Sequence, residues 1–215
     1  MTACFRAFRR SALLAAAAYG GIALFFLLTG EDLSGYRFLA VYDKIMIYLL
    51  TPLLLLLTCR AEAVMLPARM IRLGSRRRAL AVRLALHGLC AAFCALLWLV
   101  LTNICAILRY QTPLLCCGDT EVLVILRYAP LWLLLAEVSV LIGKLMPHKT
   151  SALSCAAGYF VFEVELLAVS RLLPPRLGLL FSWFYREWGG LALCLWCALL
   201  AAVLVRVCDR EDVVT

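Results

Sequence analysis

Four ionisable side chains lie inside strongly apolar stretches of this 215-residue sequence, and they are its first candidates for chemistry. These buried charges are Arg127, Glu137, Glu163 and Glu165. A charge at membrane depth costs on the order of 3 kcal/mol on insertion scales, so such a group normally faces a partner or a water-filled cavity. The four residues are therefore candidates for a translocation path, and pairing among themselves is the structural alternative.

The positions of these charges along their apolar runs suggest which of them could pair. With a rise of about 1.5 Å per residue, Arg127 lies roughly 8 Å below the outer end of its run. Glu165 reaches a similar depth in the next run, which enters from the opposite side. Glu163 and Glu165 are two residues apart, so they point to different faces of a helix. We predict that one of them neutralises Arg127 while the other faces a cavity.

The histidines and cysteines do not form a recognisable metal motif. One histidine makes no zinc site, so we interpret His87 as a packing or interfacial residue. Cys194 and Cys197 lie in an apolar run, where a thiol behaves as a small buried hydrophobe. A disulfide remains open only for the adjacent pair Cys116-Cys117, in a predicted outer loop. We therefore predict no metal site.

A nucleotide-binding loop is also missing from the sequence. Gly143-Lys144 is followed by Leu145, whereas a phosphate-binding loop needs Ser or Thr after its lysine. The chain is therefore not expected to be an enzyme or to bind ATP itself. Any energy from ATP would have to enter through a separate subunit.

The composition identifies the broad class. Apolar residues make up 66% of the chain and charged residues 16%, against about 45–50% and about a quarter in soluble domains. Such a chain is a polytopic membrane protein. Its net charge of +8 is explained by membrane topology, so no nucleic-acid partner is expected.

Apolar runs of about the 20 residues that a hydrocarbon core requires predict an all-α fold in one transmembrane domain, residues 1–215. The predicted six spans are residues 11–29, 42–59, 84–108, 122–146, 151–170 and 189–207. Most of the 21 Lys and Arg fall on segments that this arrangement places on one side, so both termini are predicted to be cytoplasmic. Residues 1–10 form a basic amphipathic stub. Residues 171–188, rich in aromatics after Pro174-Pro175, are predicted to form an outer re-entrant or interfacial helix.

The inner segment 60–83, between the second and third predicted spans, is the most basic part of the chain. Apolar residues recur at near-helical spacing; they are Met65, Leu66, Met70, Ile71 and Leu73. Gly74-Ser75 then interrupts the run before a basic helix start. This pattern predicts a short helix on the inner membrane face that is well placed to be held by a soluble partner.

In its order of elements the chain resembles the membrane permease subunit of a type-2 ABC transporter, of the bacterial exporter class. The resemblance lies in the six spans, the inner sequence Ile71-Arg72-Leu73-Gly74-Ser75-Arg76-Arg77-Arg78, the outer insertion and the short polar tail from Arg206 to Asp212. It implies that the inner segment is a coupling helix that docks on an ATPase subunit. The coupling residues would be Arg69, Met70, Ile71, Arg72, Leu73, Gly74, Ser75, Arg76, Arg77 and Arg78.

The same resemblance implies the partners and the cargo. ABC ATPase subunits would bind ATP and Mg, and this chain would carry no cofactor. A second permease subunit, identical or homologous, would complete a dimer in the lipid of a bacterial plasma membrane. The expected cargo is a hydrophobic or amphipathic peptide, lipid or antibiotic that moves outward.

Two other classes stay open. A substrate-binding subunit of an energy-coupling-factor vitamin importer also has six spans, and it docks through small-residue stripes such as Ala12 and Ala16. That class does not need the basic loop. An intramembrane protease or transferase is the third reading, but the fourth to sixth predicted spans contain no histidine.

Overall fold

The computed structural model describes residues 2–30, 32–41, 45–58, 76–113, 119–145, 156–160, 163 and 189–213. Nearly all of these residues are helical, and none of them forms a strand. The predicted all-α class is therefore confirmed. The helices are α1 (Thr2–Thr29), α2 (Leu33–Val41), α3 (residues 45–58), α4 (Arg76–Tyr110), α5 (Asp119–Leu145) and α6 (Gly189–Val213).

Four of these helices are long and apolar enough to cross a membrane: Ala12–Thr29 in α1, Arg77–Tyr110 in α4, Val122–Leu145 in α5 and Gly189–Cys208 in α6. They correspond to the first, third, fourth and sixth predicted spans. The described part of the second predicted span is a shorter apolar helix, Tyr48–Thr58. Most of the fifth span and the predicted outer insertion 171–188 lie outside the described residues. Six spans with both ends inside thus remain a prediction.

The helices differ from the sequence reading at three boundaries. Residues 2–10 are the first turns of α1 and not a separate stub, because no Gly or Pro interrupts them. The predicted third span is longer, since α4 already begins at Arg76. Helix α2 occupies most of the stretch between the first two predicted spans, which the sequence did not assign to a helix. The side chain of Asp32 caps α2 by accepting the Gly35 N–H at 2.7 Å.

The described chain divides into two compact units, and the first contains Met1–Met65 and Leu89–Ala129. Its centre is Trp98 of α4, which is fully buried and packs edge-to-face on Tyr19 and Phe26 of α1. The indole N–H donates to the carbonyl of Ala40 at 2.9 Å. Tyr36 of α2 donates in turn to the carbonyl of Thr102 at 3.0 Å. Aromatic side chains thus hold α1, α2 and the second half of α4 together.

Helix α3 contains a π-helical stretch, Met46–Leu50, which ends two residues before Pro52. Pro52 has no N–H to donate, so the hydrogen-bond ladder must rearrange around it. Both the N–H and the hydroxyl of Thr51 bind the carbonyl of Met46, the hydroxyl at 2.8 Å. The hydroxyl of Tyr19 donates to the carbonyl of Leu50 at 3.0 Å. Side-chain donors therefore satisfy carbonyls in this turn, as they do beside prolines in membrane helices.

The second unit contains Leu66–Gly88 and Pro130–Thr215. Three helices meet in its core, where Leu80 and Leu84 of α4, Val140 and Leu141 of α5, and Leu204 and Cys208 of α6 pack together. Further along the same helices, Leu133 of α5 contacts Gly88 of α4. The short helix 156–160 lies so close to α5 that a β-carbon at Gly158 would overlap Ser139.

Candidate functional site

The basic start of α4 is the part of the predicted coupling segment that the structure describes. Residues Arg69 to Ser75 lie outside the described residues, and Arg76 is the first residue of α4. Arg77 and Arg78 are both exposed, and no acidic residue occupies the first turn. Because the N-terminus of a helix already carries partial positive charge, arginines at this end are unfavourable for an isolated helix. Negative charge near this end of α4 would stabilise it.

The exposed arginines are joined directly to the core of the second unit. Ala79 and Leu80 follow them in the same turn of α4, and both are buried. Leu80 packs against Val140 of α5 and Leu204 of α6. A force applied at the arginines would therefore reach two neighbouring helices through close apolar contacts, because packed interiors transmit displacement.

Glu137 of α5 is the second candidate site. Its side chain is only 3% exposed, and its Oε2 atom has no hydrogen-bond partner among the described residues. Cys197 of α6 lies close enough to interact electrostatically with the Glu137 carboxyl. The Cys197 thiol donates to the carbonyl of Pro130, seven residues before Glu137, at 3.3 Å. The Glu137 carboxyl thus lies between α5 and α6, and its Oε2 atom has no described polar partner.

The structure describes the other three predicted charges only in part. Arg127 of α5 and Glu163 are both half-buried, and Glu163 interacts electrostatically with Tyr159. Glu165 lies outside the described residues. The predicted neutralisation of Arg127 by Glu163 or Glu165 therefore stays a prediction.

The predicted roles of His87 and the cysteines can be compared with their positions. His87 is 4% exposed within α4, which fits a packing residue. Six cysteines are free thiols in the described part of the chain; they are Cys90, Cys94, Cys105, Cys194, Cys197 and Cys208. No three His, Cys, Asp or Glu side chains in the described ranges come together as a metal site.

With this geometry in place, the chain can be compared with known proteins. Scans of protein-family models, of curated proteins and of solved structures found no match. The function therefore has to be inferred from the residues of the chain itself.

Sequence reasoning missed the tyrosine and tryptophan contacts of the first unit. Trp98 and Tyr36 read as ordinary members of apolar stretches, because nothing in their spacing shows which carbonyl they reach. Tyr110 was likewise missed, and its hydroxyl donates to the carbonyl of Gly30 at 3.2 Å. The one available signal was the sequence Asp32-Leu33-Ser34-Gly35, whose acidic side chain can cap a helix and so predicts α2.

Proposed function

We propose that this chain is the permease half of an ATP-driven ABC exporter, with ATP and Mg bound by separate ATPase subunits. The observation that carries the proposal is the junction at the start of α4. Exposed Arg77 and Arg78 are followed within one turn by Leu80, which is buried against Val140 and Leu204. A soluble partner that grips the arginines can therefore move α5 and α6.

The chemistry of this junction predicts the chemistry of the partner surface. Arg77 and Arg78 project from the positive end of a helix, so the docking surface of the ATPase subunit is expected to be acidic. The predicted apolar stripe Met70, Ile71 and Leu73 would fill a groove beside that surface. Hydrophobic contacts would give affinity, and the charges would speed association and set the orientation.

A second permease subunit, identical or homologous, would complete the transport path in the bacterial plasma membrane. The cargo is proposed to be a hydrophobic or amphipathic peptide, lipid or antibiotic that leaves the cell. Its path would pass the four ionisable residues predicted at membrane depth, because such groups normally mark transport paths. They are Arg127, Glu137, Glu163 and Glu165.

A vitamin-importer subunit is the second candidate, and one observation favours it. Ala12 and Ala16 of α1 are half-buried, and a β-carbon at Gly20 would meet no atom within 4 Å. This face of α1 has room for another helix. Small residues promote helix association in membranes because they let the two backbones approach closely. Tight co-purification of a vitamin without any ATPase would favour this class over the exporter.

The coupling proposal is tested by removing the apolar side chains of the inner segment while keeping its positive charges. The variant Met70→Ser, Ile71→Ser, Leu73→Ser keeps every arginine, so it should insert normally, yet it should lose ATPase binding and transport. A topology signal needs only the positive charges, whereas a docked helix also needs its apolar face. The control Arg77→Lys, Arg78→Lys keeps the charge and should retain most ATPase binding.

Two measurements read the result: membrane insertion of the tagged chain, and the ATPase activity that co-purifies with it from the native host. Loss of ATPase from the serine variant but not from the lysine control is expected. If the serine variant still captures an active ATPase, the coupling assignment is wrong.

A further inference from the structure

Glu137 differs from the hydroxyl and amide side chains that are buried in the described helices. Thr51, Thr58, Thr102, Asn103 and Ser139 each donate to a backbone carbonyl of their own helix at 2.8–2.9 Å. A carboxylate cannot do so, because its two oxygens only accept hydrogen bonds. The Oε2 atom of Glu137 is buried, and no described residue donates to it.

The surroundings of Glu137 are strongly apolar. Leu134, Leu135, Ala136 and Val140 on the same helix are all buried. Cys197 approaches from α6, and its thiol donates to the Pro130 carbonyl and not to the carboxyl. Lys144 is on the same helix, two turns further on and about 10 Å along the axis, and it does not donate to the buried Oε2 atom.

Several other titratable or charged groups belong to the elements of this unit. They are Arg83 and His87 on α4, Lys144 on α5, Tyr159 and Glu163 at the short helix, and Cys194, Cys197, Arg206 and Cys208 on α6. Of these, Cys197 is the group with a described electrostatic interaction with the Glu137 carboxyl. A thiol does not offset a carboxylate charge, since any charge that the thiol acquires is also negative.

The form of Glu137 that suits this environment is the neutral acid. An ionised carboxylate without compensation at this depth is strongly unfavourable, and buried groups in that position take up a proton instead. The acid form carries one O–H donor and keeps acceptor capacity. A proton is also small enough to bind inside a tightly packed bundle.

We propose that Glu137 is a proton-binding site, occupied while α5 and α6 are packed as described and emptied when this region opens to water. The inference does not rest on the exporter proposal, because it needs only the second unit. Opening would release one proton per chain, so the balance between the packed and open arrangements would depend on pH.

The direction of this dependence follows from proton linkage. The packed arrangement binds one more proton than the open one, so it is favoured at low pH and its population falls as the pH rises. One linked proton changes the equilibrium by at most tenfold per pH unit. Above the pH at which both arrangements have lost the proton, the dependence ends.

Two cysteines of α6 provide a reporter and its internal control. Cys197 is buried beside Glu137, whereas Cys194, one turn earlier, is exposed. Opening of the contact between α5 and α6 should therefore expose Cys197 to a small alkylating reagent and leave Cys194 almost unaffected. Both thiols can be quantified in the full chain by peptide mass spectrometry.

The experiment compares alkylation by N-ethylmaleimide of the full-length chain and of Glu137→Gln in lipid nanodiscs, between about pH 5 and about pH 8. Glutamine imitates the neutral acid, so the ratio of native to variant rates cancels the intrinsic ionisation of the thiol. An ionised Glu137 disfavours a second negative charge on Cys197, so this interaction alone would lower the ratio and cannot imitate the expected rise. For Cys197 we expect this ratio to rise severalfold, and by at most tenfold per pH unit. For Cys194 it should stay near one.

A flat ratio for Cys197 over this range would overturn the proposal, and so would an equal rise at both cysteines. Should Glu137→Gln fail to insert, infrared spectroscopy of the native chain gives an independent reading. The carbonyl band of a protonated carboxylic acid, shifted by deuterium, must be present at low pH and decline as the pH rises. The variant Glu163→Gln must retain that band. If the band is lost in this variant, the proton belongs to Glu163 and the proposal is wrong.

Discussion

At the scale of single residues, Asp32 determines where α2 begins. Its Oδ1 atom accepts the N–H of Gly35, and its Oδ2 atom accepts the hydroxyl of Ser34, each at 2.7 Å. These two hydrogen bonds, that from Ser34 first, lower the pKa of the Asp32 carboxyl below its ordinary value. The carboxylate thus satisfies an N–H that the first turn of a helix leaves without an internal partner.

The lowered pKa of Asp32 gives a pH prediction with a definite sign. The carboxylate stabilises α2 above the ordinary aspartate pKa of about 3.9, and this contribution is lost as the pH falls through the lower folded-state value. We expect the protection of the amides in residues 33–41, which is their exchange rate relative to that of an unstructured chain at the same pH, to fall in acid for the native chain.

The matched variant Asp32→Asn keeps an oxygen acceptor but cannot ionise. Its exchange in residues 33–41 should be faster than that of the native chain near neutral pH, and the difference should vanish in acid. A constant difference across the whole pH range would show that the charge of Asp32 is not involved.

At the scale of elements, α2 is attached to α4 by hydrogen bonds of unequal importance. Trp98 donates to the carbonyl of Ala40, which lies in the last turn of α2, where carbonyls lack an internal donor. Tyr36 donates to the carbonyl of Thr102, which lies inside α4 and can keep its helical N–H donor. Losing the first bond removes a donor that α2 itself does not replace, whereas losing the second leaves the donor within α4 in place.

This difference predicts a rank order for two conservative variants. Tyr36→Phe should cost about 1 kcal/mol, the net value of one hydrogen bond. Trp98→Phe should cost more, about 2–4 kcal/mol, because it adds the desolvation of an unpaired carbonyl to lost packing. Hydrogen exchange of residues 33–41 measures both effects. Faster exchange in Tyr36→Phe than in Trp98→Phe would contradict the assignment.

The elements also show what could be predicted from the sequence. Long apolar runs predicted the membrane-length helices α1, α4, α5 and α6, because burial in lipid requires length and apolarity, and both are visible in sequence. The π-helical turn Met46–Leu50 could not be predicted. Pro52 indicates only that the hydrogen-bond pattern of the helix is interrupted, and the hydrogen bonds from Thr51 and Tyr19 appear only in the folded structure. The position of Glu137 in an apolar run was predicted, but its neighbour Cys197 comes from a distant helix.

At the scale of the whole molecule, the direction in which α4 crosses the membrane depends on the predicted second span, residues 42–59. Its 18 positions give a helix of about 27 Å, close to the thickness of a hydrocarbon core. The described helix Tyr48–Thr58 covers only the later part of this segment. If the segment crosses, the two ends of α4 are placed as predicted, with the basic start inside. If it does not, α4 is inverted.

Two sites distinguish these topologies. Ser34 of α2 is exposed, and Gln111, directly after α4, is exposed as well. Six spans place both sites outside, whereas a second segment that does not cross places Ser34 outside and Gln111 inside. The backbone at Gln111 has a φ of 55°, a conformation that disfavours β-branched side chains. Cysteine, like glutamine, is not β-branched, so it should fit.

We therefore expect Ser34→Cys and Gln111→Cys each to react with a membrane-impermeant maleimide in intact cells. Peptide mass spectrometry reads each site separately from the native cysteines, and the parent chain gives the background at each site. Epitope tags at the two termini should be reached only after permeabilisation, because the basic segments keep both ends inside. Reaction at Ser34→Cys without reaction at Gln111→Cys would show that the second segment does not cross. The basic start of α4 would then face outward, where no ATPase could bind it.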